Sequence, residues 1–192
     1  MTAVDDDRPP EEIRRFQAVY EAHYGAVLAY LRRRTTEGAD AQDAVADTFT
    51  IAWRRLEELP EGDAALPWLY AVARRVLSNQ RRGNQRRTDL SARVRSQRSA
   101  SVDVESEVVA GDERRTVLAA LSRLRPADQE ILRLAVWEEL THRDIAGLVG
   151  CSEASVAVRL HRARTRLGRE IRKEERSVGQ KSARGRPEGR ER

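Results

Sequence analysis

Arg159, Arg162, Arg166 and Arg169 recur at intervals of three, four and three residues. A second set, Arg74, Arg75, Arg81, Arg82, Arg86 and Arg87, lies among Asn79, Gln80, Asn84 and Gln85, with no acid anywhere from residue 67 to 87. Such residues do not make or break covalent bonds. Arginine neutralises phosphates and, as a planar fork of donors, hydrogen-bonds guanine edges. Asparagine and glutamine add base-reading amides. Asp43 and Asp47 do the opposite. They are four apart, so they share one helix face. With no base beside them they form an acidic patch suited to a basic protein surface, the alternative being a solvated face. His23, His142 and His161 show no ligand spacing, so no metal site, catalytic residue or cofactor is expected. Cys151 is the single cysteine and reads as a small packed residue.

These groups must be held by helices, because helical spacing runs through the chain and strand signals are nearly absent. Ahead of the first arginine set, Thr141 and Asp144 form a weak capping box, and Ile145, Leu148 and Val149 give one apolar face. Gly150 ends that helix and Ser152 caps the next. In that next helix Val156, Leu160, Ala163 and Leu167 form a buried stripe, and the arginines lie on another face. This is the pattern of a helix-turn-helix reader, the alternative being a helical hairpin with a solvated arginine face.

Further helices are marked by Ile13, Phe16, Tyr20, Tyr24, Val27 and Leu31, and by Val45, Phe49, Ala52 and Leu56, starting near Asp40. A third has Pro67 at its first position, Trp68 at its start, and Leu69, Val72 and Val76 buried. Val117, Leu121 and Leu124 mark a fourth, and Pro126 opens a fifth containing Ile131, Leu132 and Ala135. The expected fold is all-α: two small helical domains, 13–84 and 107–172, joined by a flexible linker, 85–106. An acidic N-terminus (1–12) and a basic tail (173–192) are expected to be disordered. In the tail "RGRP" (Arg184–Pro187) reads as chance in an arginine-rich segment rather than a minor-groove motif.

The formal net charge is +5 over 192 residues, which favours an anionic partner. One cysteine excludes an intrachain disulfide and fits a reducing compartment. No apolar run approaches a membrane span, and the N-terminus lacks the order of a signal peptide. A soluble, cytoplasmic chain with no membrane partner is expected.

Taken in order, the motifs resemble the extracytoplasmic-function sigma factors of bacterial RNA polymerase. "FQAVYEAHYGAVLAYLRRR" resembles the first helix of region two, and "DAQDAVADTFTIAWRRL" its polymerase-binding helix. "PWLYAVARRVLSNQRR" resembles the helix that engages the minus-ten element. "LSRLRPADQEILRLAVWEELTHRDIAGLVGCSEASVAVRLHRARTRL" resembles region four, which engages the minus-thirty-five element. The resemblance implies a non-enzymatic initiation factor that binds core RNA polymerase (beta-prime and beta subunits) and promoter DNA and promotes melting. It also suggests an anti-sigma factor as a partner.

The candidate residues are then Asp43, Asp47 and Phe49 for core polymerase. For the minus-ten element they are Tyr70, Arg74, Arg75, Asn79, Arg81 and Arg82. For the minus-thirty-five element they are Ser152, Ser155, Ala157, Arg159, His161, Arg162 and Arg166. In the family a flipped base enters a pocket beside the loop between the second and third helices, and the loop at that place here is Glu58–Leu66. Two departures bear on promoter sequence. "VARRV" stands where members often have "ARN", and "ASVAVRL" where they often have "GTVKSRL". The alternative function is a stand-alone helix-turn-helix transcriptional regulator.

Overall fold

The structure is a computed structural model and describes residues 8–35, 37–91 and 111–184. Among the described residues the regular elements are all helical, and the chain divides into two compact units. Residues 92–106 of the expected linker lie outside the described residues, as do 1–7 and 185–192.

The first unit packs three helices against one another: α1 (Pro10–Arg32), α2 (Gly38–Arg54) and α3 (Ala65–Ser91). Pro10 opens α1 and Glu11 and Glu12 follow in its first turn, where acids oppose the positive end of the helix dipole. Val27, Tyr30 and Leu31 bury one end of α1, whereas Ile13 and Tyr20 stay about two-fifths exposed. Two 3₁₀ turns, Leu56–Glu58 and Gly62–Ala64, carry the chain from α2 to α3. Leu56 and Leu59 plug the core from this connection. Each buried leucine contributes about 1.5–3 kcal/mol relative to exposure. Pro67 is the third residue of α3 rather than the first. It is tolerated there because the first-turn amides have no carbonyl to bond.

The second unit contains α4 (Asp112–Ser122), α5 (Pro126–Val136), α6 (His142–Val149) and α7 (Glu153–Arg184). The long α7 packs against the other three. Leu121, Leu124, Ile131, Leu132, Leu134, Ile145, Leu148, Val156, Leu160 and Ala163 form the core. Val117, expected on the buried side, is about two-fifths exposed, and Leu134 rather than Ala135 fills the centre of α5.

Two helices outrun the boundaries expected from sequence. α3 continues past residue 84 to Ser91, and α7 passes residue 172, where a disordered tail was expected, to reach Arg184. Apolar periodicity fades at both points, but an existing helix adds one hydrogen bond per residue without a new nucleation cost. The extension of α7 is also tied down, by a Lys173–Glu170 pair and by Arg123, just past the end of α4, on Glu174.

Candidate functional site

In the second unit, the entry to α6 is a complete capping box. The Thr141 hydroxyl accepts from the Asp144 amide at 3.2 Å, and the Asp144 carboxylate accepts from the Thr141 amide at 3.3 Å. Gly150 takes the left-handed conformation (φ 72°, ψ 48°). This lets the Gly150 and Cys151 amides both bond the Ala146 carbonyl, closing the turn. Ser152 Oγ then accepts from the Ser155 amide at 3.2 Å and meets Ser155 Oγ at 2.9 Å. Ser152 is therefore the cap of α7, and both hydroxyls are engaged at its start.

These devices fix the phase of α7. Val156, Leu160 and Ala163 are buried, while Ala157, Arg159, His161 and Arg162 are exposed. Arg166 departs from the expectation. Its Nη1 donates to Asp128 Oδ2 at 2.5 Å, and Asp128 sits in the first turn of α5 with a side chain only 13% exposed. Arg166 thus ties α7 to α5, with its own side chain 42% exposed. Spacing alone could not reveal this, because the partner lies 38 residues away. Val158 was missed. It is 49% exposed on α7, beside the arginines.

In the first unit, α3 buries Leu69, Tyr70, Val72, Ala73, Val76 and Leu77 and exposes Arg74, Arg75, Ser78, Asn79, Arg81 and Arg82. The buried stripe is wider than the sequence suggested because α3 packs on both α1 and α2. Tyr70 falls inside it. It is 3% exposed, and its ring stacks on Tyr30 at 4.7 Å, so it presents no face to a base. Arg75, Asn79 and Arg82 share one row, at intervals of four and three, and Arg82 donates to Asn79 Oδ1 at 2.6 Å. Arg81 Nη2 donates to the Arg34 carbonyl at 3.0 Å, which ties this part of α3 to the residues just past the end of α1.

Beside this row, Arg55 Nε donates to Glu58 at 2.9 Å. That bond, aided by the charges of Arg55 and Arg75, holds the Glu58 carboxyl below the usual carboxylate range. A cleft of about 520 Å³ opens between α1 and the α2–α3 connection, lined among others by Arg15, His23, Pro60, Asp63 and Leu66. Burial pushes His23 below the ordinary imidazole value. None of the α3 arginines lines this cleft.

Asp43 and Asp47 are exposed on α2, with no ion pair among the described residues. Phe49 is 4% exposed and packs edge-on against Tyr20 at 4.7 Å, so it belongs to the core and not to the docking face. It lies two residues past Asp47, about 200° round the helix.

Residues 19–87 match the family described as Sigma-70 region 2, and residues 114–167 that described as Sigma-70, region 4. RNA polymerase sigma factor NccH of Alcaligenes xylosoxydans xylosoxydans is 30% identical over 156 residues, 79% of this chain and 84% of the relative. ECF RNA polymerase sigma factor SigL of Mycobacterium tuberculosis is 29% identical over 150 residues, 77% of this chain and 83% of the relative. The sigma factor RpoE of Bartonella quintana, solved in complex with the anti-sigma factor NepR, shares the fold. Its TM-score is 0.69 at 23% identity, covering 83% of this chain and 98% of that one. The two matched regions, in this order and over these helices, place the chain in the extracytoplasmic-function group of RNA polymerase sigma factors.

Proposed function

We propose that this sigma factor divides its work between residues of separate helices. Asp43 and Asp47 of α2 dock a basic surface of core polymerase. Arg74, Arg75, Asn79, Arg81 and Arg82 of α3 engage the minus-ten element as its strands part. Ala157, Arg159, His161 and Arg162 of α7 read the minus-thirty-five element, with Ser152 and Ser155 at the start of that helix. Tyr70, Phe49 and Arg166 support these surfaces from within. The observation that carries the reading is the phase of α7: its exposed cations lie away from a fully buried stripe and behind a capped, left-handed turn. A helix so oriented enters a major groove with its cations toward bases and phosphates.

The chain supplies no bond-making step; the polymerase does. It acts in the cytoplasm, where core polymerase is. No helix of the described residues is long and apolar enough to cross a membrane. The Bartonella relative was solved with an anti-sigma factor, and we extend that partner class to this chain. Run-off transcription with purified core polymerase tests the reading. Promoter-specific initiation on addition of this chain alone is expected. Duplex binding without initiation would instead mark a stand-alone regulator.

A further inference from the structure

We propose that Val158 reads the methyl group of a thymine in the upstream promoter element. The inference rests on the sigma reading above and deepens it. At about 100° per residue, Val158 points about 180° from the middle of the stripe formed by Val156, Leu160 and Ala163. It is therefore the most outward residue of the early turns of α7, in the part of a recognition helix that meets base edges. Ala157, the apolar candidate suggested by sequence, sits on the flank and reaches only as far as its Cβ.

Val158 is 49% exposed, with Arg159, His161 and Arg162 exposed around it. An isopropyl group at the centre of a cationic face buries little within its own unit. A residue whose only task was to hold a phosphate or water there would be polar. The major groove offers one apolar feature on its base edges, the thymine C5 methyl. Val158 is also stiff at χ1, so holding it against that methyl loses little rotamer freedom. The flanking arginines supply the phosphate and guanine contacts that keep the helix in register. The occupant that fits both the charge and the apolar centre is thus a thymine-bearing major groove.

The test uses holoenzyme reconstituted from the full chain and core polymerase. Promoters are recovered from a library randomised upstream of the start site, and each thymine of the upstream element is replaced in turn by deoxyuridine, which lacks only the methyl. One position should lose about fourfold in holoenzyme binding, the worth of one methyl withdrawn from water. Val158→Ala should lose binding by a similar or larger factor and respond equally to thymine and uracil at that position. Val158→Thr, which keeps one methyl, should retain part of the discrimination. Thermal melting checks that both variants fold, as expected for an exposed site. A flat uracil scan, or a Val158→Ala protein as sensitive to uracil as the wild type, overturns the inference while leaving the sigma reading intact. Absence of promoter-specific initiation on unmodified DNA overturns both.

Discussion

Replacing Glu139 with glycine should stabilise the second unit by about 0.5–1 kcal/mol. Glu139 has φ 52°, the one non-glycine residue with positive φ among the described residues. It lies between α5 and α6, where the chain reverses under an unusual pair of bonds. The Glu138 amide reaches the Arg133 carbonyl at 3.2 Å and the Leu140 amide the Leu134 carbonyl at 3.1 Å. An L-residue pays about 1–2 kcal/mol for the left-handed conformation, and glycine pays almost none. Glycine gives back about 0.4–1 kcal/mol by loosening the unfolded chain. Glu139 is exposed, so losing its side chain costs little packing. The difference is the gain quoted, which corresponds to a rise of about 2–8 °C in melting temperature for a unit of this size. Scanning calorimetry or far-ultraviolet dichroism of the full chain would measure it. Glu139→Ala keeps the Cβ and the strain, so it should gain much less. A glycine variant no more stable than wild type, or an alanine variant equally stabilised, would refute the argument from backbone strain.

Asp43→Arg with Asp47→Arg should leave the fold intact and weaken capture of core polymerase in a pull-down, since like charges across an interface cost several kcal/mol. Arg166→Ala should lower the stability of the second unit by about 1 kcal/mol, seen in urea titration, and leave base preference in the upstream element unchanged. Arg162→Ala should weaken upstream-element binding, whereas Arg82→Ala should leave that binding and slow the permanganate reactivity of melted thymines; the same defect in both would contradict separate roles. His23 is lowered in the fold by burial, so the unfolded chain takes up its proton first. Its contribution to stability is therefore present above its ordinary value near 6.5 and lost as pH falls through the folded value. His23→Gln should flatten that part of the urea midpoint–pH profile.

What the sequence made legible follows from the range of each interaction. The cap at Thr141, the stop at Gly150 and the stripe Val156–Leu160–Ala163 depend on residues within one or two turns, and each is where local spacing puts it. Tyr70, Phe49 and Arg166 were misread for the opposite reason. Their environments are set by Tyr30, by Tyr20 and by Asp128, residues brought close only when helices pack. A helix enclosed by two neighbours buries a stripe wider than its most apolar residues reveal, as α3 does. Exposed arginines on a face cannot be told from tethered ones by interval. Helix ends were hard to place because propagation outlasts the apolar pattern, as at Ser91 and Arg184.

The second unit therefore contains few residues that touch DNA in this reading and many that set an angle. A rotation of α7 by one residue, about 100°, would carry Val158 and Arg162 off the groove and bring Arg164 toward it. Four devices oppose that rotation: the capping box at Thr141, the left-handed Gly150, the Ser152 cap, and the Arg166–Asp128 pair. The pair acts farthest along α7 from the turn and joins it to a different helix, so it constrains the phase where the caps do not. An arginine tied to a neighbouring helix can thus steady the helix that presents the exposed arginines. Its loss should therefore be read as reduced stability, with the caps beside Ala157–Arg162 still holding those residues in phase.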